Sequence, residues 1–172
     1  IFEDPDEKER TSFEEAWEKL AKDHKIYHYL HRLDRLAGIG HYGILLMGID
    51  DGLPLSAPVE GINEDGELQD GYTPPERKLL FMRPFDESML MISSYQLDMN
   101  SPRYGHPLMY NVKMWDPTVA VVQGAPQPGG QQLVHWSRVL HFADNCMSSE
   151  VFGVPRQQQV WNRLYDTRKI LA

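Results

Sequence analysis

The stretch Gly38-Ile39-Gly40-His41-Tyr42-Gly43-Ile44-Leu45-Leu46-Met47-Gly48-Ile49-Asp50-Asp51-Gly52 is where the chain changes its period. Upstream, Phe13, Trp17, Leu20, Tyr27, Leu30, Leu33, Leu36 and Ala37 recur at helical spacing, leaving Glu14, Glu18, Lys22, Arg32 and Arg35 for the outer face. Gly38, Gly40 and Gly43 end that pattern. Ile44–Met47 is too short for a helix and apolar on both faces, which predicts a buried strand closed by the turn residues Asp50, Asp51 and Gly52. Thr11 and Ser12 are each followed three residues later by a glutamate, Glu14 and Glu15, the arrangement of a capping box. The polar break Asp23-His24-Lys25 divides the helical stretch into two helices.

Downstream, residues 53–77 are rich in proline, glycine and acids without a sustained period, and read as a long surface loop of the kind that serves binding or orders against a partner. Lys78–Phe85 reads as a strand stopped by Pro84 and Asp86, and Met89–Tyr95 is ambiguous between strand and short helix. Leu108, Tyr110, Val112 and Met114 alternate with Met109, Asn111 and Lys113, a half-buried strand. Val119–Val122 and Leu133–Phe142 are expected to pair as a hairpin across the Pro, Gly and Gln turn 124–132. From Pro155 the stripe Val160, Trp161, Leu164, Tyr165 and Leu171 predicts a long closing helix, roughly 25 Å at 1.5 Å per residue. Helices, then strands, then a helix make an α+β fold with a mixed or antiparallel sheet. Residues 1–11 are expected to be a flexible acidic arm, 12–153 the α+β domain and 154–172 the C-terminal helix. The start at Ile1 without Met and the uncapped end after Leu171 give the expectation of a fragment of a longer protein.

The chain has 172 residues and a net charge of −8, so broad attraction to nucleic acid would need a local patch working against the overall field. Its longest strongly apolar run, Gly43–Ile49, falls far short of a membrane span. A lone cysteine, Cys146, can form neither an internal disulfide nor a thiolate zinc site. His24, His28 and His31 share helical spacing but lack the intervening glutamate of a zinc-protease helix, and no phosphate-binding glycine loop lies between a strand and a helix. His135-Trp136-Ser137 has the His-x-Ser form that one class of phosphodiesterases uses in two copies, one for each proton transfer. The second copy is absent here. No cofactor or metal is expected.

Four segments carry a resemblance. His135-Trp136-Ser137-Arg138-Val139-Leu140-His141-Phe142 is similar to a strand of tailed-phage portal proteins of the DUF1073 type. Asp98-Met99-Asn100-Ser101-Pro102-Arg103-Tyr104-Gly105-His106-Pro107, with Tyr110, resembles an upstream segment of that family, and Gly153-Val154-Pro155 with Val160–Tyr165 its glycine-started helix. Leu36–Gly52 matches the family's earlier helix, Gly-x-Gly and strand. The resemblance implies a non-enzymatic subunit of a homo-oligomeric ring at the portal vertex of the virion, assembled in the host cytoplasm. Double-stranded DNA would pass through that ring, terminase, scaffold and capsid proteins would dock on it, and no membrane is involved. This chain would be its wing, with the last helix leading toward the stem.

The residues singled out as structural or interface groups are Asp98, Arg103, Tyr104, Gly105, Pro107, Tyr110, His135, Ser137, Arg138 and Gly153. Pro102 and Pro107 flank Gly105 and predict a rigid turn, Arg103 is expected to pair with an acid such as Asp98, and Tyr104 and Tyr110 to bury their rings. Ser137 is expected to bond backbone and Arg138 a carboxylate. Two other readings stand beside the portal: a phosphodiesterase or nucleotide-binding protein using the His-x-Ser motif, and a stand-alone α+β protein-binding module.

Overall fold

A computed structural model describes residues 11–73, 75, 77–114 and 130–171. Helix α1 spans Ser12–Asp23 and α2 Ile26–Ile39. Thr11 caps α1 through a complete capping box: its hydroxyl accepts the Glu14 N–H, and the Glu14 carboxylate accepts the Thr11 N–H. The break between the helices is Lys25, whose φ of 51° ends one helix and starts the next.

Two three-stranded antiparallel sheets follow. One has the order β2–β1–β6 and the other β3–β4–β5, with β1 Gly43–Ile49, β2 Leu79–Asp86, β3 Leu90–Tyr95, β4 Pro107–Lys113, β5 Gln131–His135 and β6 Val139–Phe142. Ile44 and Leu46 of β1, Phe85 of β2, Leu90 of β3, Tyr110 and Val112 of β4 and Val134 of β5 share one core with Tyr42. The opposite face of β1 lies under α2: a Cβ on Gly43 would touch Leu33, and Leu33 and Ala37 are buried. Burial on both faces is what the apolar run Ile44–Met47 requires.

The segment left ambiguous, Met89–Tyr95, is strand β3, entered through a turn in which Asp86 accepts the Met89 N–H and the Ser88 hydroxyl. Pro84 does not stop its strand. It sits in β2 opposite Leu45, and β2 is a sheet edge, where a missing N–H costs no ladder bond. The predicted hairpin is different as well: Val119–Val122 lies outside the described residues, and β5 pairs with β4. Leu133–Phe142 is not one strand, because the 3-10 turn Trp136–Arg138 breaks it and passes the chain from one sheet to the other. The closing helix is also shorter than expected. As α3 it spans Gln158–Leu171, 14 residues, and all of its described side chains are exposed. Pro155 precedes it in a turn, where the Gln158 N–H reaches the Pro155 carbonyl. No helix of the described residues is long and apolar enough to cross a membrane.

Candidate functional site

The 3-10 corner between the sheets is also the anchor of the loop that follows β1. His135 donates its backbone N–H to the Leu55 carbonyl at 2.9 Å, Arg138 Nε donates to the Ala57 carbonyl at 2.8 Å, and the Val59 N–H donates to Ser137 Oγ at 2.9 Å. Three consecutive odd positions of the loop, Leu55, Ala57 and Val59, are thus stitched to residues 135–138. Val59 is buried as a result. The Arg138 guanidinium closes the clamp on Asp51, at 2.6 Å from Nη2 to Oδ2 and 3.4 Å from Nη1 to Oδ1. Both side chains are almost fully enclosed, Arg138 at 1% and Asp51 at 2% exposure. Burial alone would raise the Asp51 pKa. The Arg138 bonds and the Leu53 N–H outweigh it, so the carboxyl lies below its ordinary value and the pair is ionised.

His135 begins the 3-10 turn, and its ring serves the backbone. Nδ1 accepts the Ser137 N–H at 3.3 Å, which places the ring proton on Nε2, and lies 3.0 Å from Ser137 Oγ. Ser137 Oγ accepts from Val59, so its own proton is directed to Nδ1. Burial, then the positive charges of Arg138 and Arg103, hold the His135 pKa below its usual value. The histidine and serine thus tie the corner to itself and to the loop.

The 98–107 turn packs beside this corner. Gly105, at φ 81°, takes the left-handed conformation, and its N–H reaches the Gln96 carbonyl while the Gln96 N–H reaches His106. Arg103 does not pair with Asp98. Its Nη2 donates to the Pro107 carbonyl at 3.1 Å, and its guanidinium lies 3.8 Å from the centroid of the Trp136 ring. Asp98 instead accepts from the Asn100 backbone and amide. Ser101, one residue before Pro102, donates its hydroxyl to Glu64 of the loop and accepts the Arg103 N–H. Tyr104 is half exposed, against expectation: the turn it occupies points outward, away from the core. Tyr110 is buried in β4, with its hydroxyl 3.1 Å from His141 Nδ1.

That contact opens a network which sequence reasoning missed. His141 Nε2 lies 2.8 Å from the Val151 carbonyl, which can only accept, so Nε2 carries the proton and Tyr110 donates to Nδ1. The His141 ring stacks on Tyr42 at 5.0 Å. Burial lowers the His141 pKa, and burial raises that of Tyr42 to about 12. The available signal was the alternation of β6, in which Val139 and His141 face one side.

Gly153 sits where a side chain could not. A Cβ there would strike the Asp144 carbonyl, while the Gly153 N–H reaches His41 and the Val154 N–H reaches Asp144. Three residues on, Arg156 donates to Asp34 of α2 at 2.6 Å and to Asp144, and its backbone N–H reaches the Gly38 carbonyl. These bonds raise its already high pKa.

Among the described residues no three His, Cys, Asp or Glu side chains are grouped to hold a metal ion. An open cleft of about 530 Å³ between His41, Pro155, Gln157, Gln158 and Trp161 contains one ionisable group. The chemistry of the expected site residues is therefore that of joints: Arg103, Ser137, Arg138 and His135 converge on one corner, Tyr110 ties to β6, and Gly153 lies at a separate crossing. No curated protein matches the sequence. The family profile described as phage portal protein matches residues 3–172. The fold's joints fall on the segments that carry the portal resemblance, the match spans nearly the entire chain, and the chain belongs to the phage portal protein family.

Proposed function

We propose that this chain is the wing part of a portal subunit, working by self-association and docking rather than by chemistry. Family membership carries a structural role at the portal vertex of the virion and assembly into a homo-oligomeric ring. The finer reading is that DNA is packaged and ejected through that ring, that terminase, scaffold and capsid proteins dock on it, and that α3 continues toward a stem. The observation that carries the non-enzymatic reading is the state of the His-x-Ser motif: His135 and Ser137 spend their hydrogen bonds on each other, on the Ser137 N–H and on Val59.

Electron microscopy of the complete protein tests the proposal, with closed rings bearing this domain at their periphery as the expected result. Hydrolysis of a phosphodiester by the purified chain, abolished by His135→Ala in a variant that still folds, would replace the portal reading with the enzymatic one.

A further inference from the structure

The open cleft lies between the end of α2 and the start of α3. Its volume of about 530 Å³ falls within the roughly 300–1,000 Å³ usual for small-molecule sites. One wall is His41, in the link from α2 to β1, and the other is Pro155, Gln157, Gln158 and Trp161, around the first turn of α3. The walls are tied to each other from behind: the Gly153 N–H donates to the His41 carbonyl at 2.7 Å, and the Arg156 N–H to the Gly38 carbonyl at 2.9 Å. A cleft formed before its ligand arrives keeps the ordering cost of binding small.

The His41 ring is held in place as well. Its Nδ1 lies 3.0 Å from Glu87 Oε2, and the same oxygen accepts the His41 backbone N–H at 2.9 Å. A carboxylate can only accept, so Nδ1 carries the ring proton, and the neutral ring presents Nε2 as an acceptor on a side chain 55% exposed. Gln157 and Gln158 each add an amide donor and acceptor, and the exposed Trp161 indole adds a flat apolar face. His41 is the one ionisable group in the lining. The nearby cation, Arg156, is committed to Asp34 and Asp144, and one cation with two carboxylates leaves that corner unfavourable to a phosphate.

A ligand that satisfies this lining is flat, uncharged and edged with both donors and acceptors, which describes a nucleobase. The polar groups select among bases. A glutamine amide pairs with adenine at N6 and N7 at once, and the second N6 proton is left for His41 Nε2. Guanine shows two acceptors on the same edge and calls for a cation that the lining lacks. We infer that this cleft binds an adenine base stacked on Trp161, with the sugar and any phosphate directed to solvent. The base can come from a free nucleoside or from an unpaired position in a single strand, and the contact is the same.

The test follows the Trp161 indole and the Gln157 and Gln158 side-chain amides by proton–nitrogen correlation NMR of the whole 172-residue chain at pH 7.5. Adenosine is expected to shift these signals with a Kd of about 1 mM or tighter. Inosine, which carries a carbonyl in place of the N6 amine, and uridine are expected to bind at least about tenfold more weakly. Trp161→Ala weakens adenosine about tenfold or more, and Gln157→Leu with Gln158→Leu brings adenosine and inosine to similar affinity. These side chains are exposed, so the variants keep the fold, which the remaining NMR signals verify. A short thymidine oligomer with one central adenine separates the sources: tighter binding than adenosine assigns the strand, and binding no tighter assigns the nucleoside. Equal affinity for adenosine and inosine, shifts that bypass Trp161, or Trp161→Ala binding adenosine like the parent would overturn the assignment. Ring formation by the complete protein is independent of each of these outcomes.

Discussion

Replacing Arg138 by methionine isolates the role of the buried corner. Met keeps most of the volume but leaves the Asp51 carboxylate at 2% exposure without its cation, and the Ala57 carbonyl without its donor. Breaking a buried ion pair from one side costs about 3–5 kcal/mol, because the remaining charge stays desolvated. That is a large share of the roughly 5–15 kcal/mol that holds a domain folded. At about 2–4 °C per kcal/mol for a chain of this size, the melting temperature is expected to fall by about 6–20 °C. Converting both partners, Arg138→Met with Asp51→Leu, removes the stranded charge, and at least half of the loss is expected to return. Full recovery is not expected, since Asp51 also accepts the Leu53 N–H.

Urea unfolding followed by circular dichroism measures all three proteins, with the parent slope retained if the unfolded state is unchanged. A local readout accompanies it: with Arg138 gone, the loop loses the Ala57 bond, and a glutamate-specific protease is expected to cut at Glu60, Glu64 or Glu67 faster in native buffer. A single variant within about 1 kcal/mol of the parent, or a double variant no more stable than the single one, would refute the reasoning.

Acidification gives a second check. The His135 and His141 pKa values are both depressed by burial, so stability is complete above the unfolded value of about 6.5. Below that the unfolded chain takes up protons the folded chain refuses, and stability falls by up to about 1.4 kcal/mol per pH unit per histidine until the folded values are reached. Urea midpoints at pH 7.5 and 5.5 that coincide would exclude this. Tyr110→Phe removes the proton donated to His141 Nδ1 and is expected to cost about 1–3 kcal/mol, read from the same denaturation curves; an unchanged midpoint would mean the bond contributes nothing net. Gly153→Ala drives a methyl into the Asp144 carbonyl and is expected to cost about 1–3 kcal/mol, whereas Gly130→Ala, with open space around it, serves as a near-neutral control.

Local periodicity carried the elements, and long-range partners escaped it. The capping box, the two helices and the buried β1 were legible because each depends on residues within a few positions. Pro84 was misread because a strand's edge position is a property of the sheet, which no local pattern encodes. Leu133–Phe142 was read as one hairpin strand, which hid a corner that is set by His135 capping its own turn. Arg103 was assigned the nearest acid in sequence, but the Trp136 face came closer in space than Asp98 did. The motif His135-Trp136-Ser137-Arg138 was visible as a motif. Asp51, Ala57 and Val59, some 80 residues away, are what it is for, and nothing in their own sequence context announces it.

The distribution of polar and apolar groups over this chain follows one rule. Polar pairs are spent on joints between segments distant in sequence: Arg138 with Asp51 and Tyr110 with His141 inside the body, Arg156 with Asp34 and Asp144 at its surface. Large apolar side chains are left outside, on α1 and α3. Arg156 ties the segment that leads into α3 to the rest of the fold. It grips α2 through Asp34 and the Gly38 carbonyl, and the 143–155 crossing through Asp144, immediately before α3 begins. Its side chain is half exposed, so each bond is individually weak. Three anchors on two elements nevertheless define a direction that one anchor could not, and Gly153 allows the crossing to lie close enough for all three to form at once.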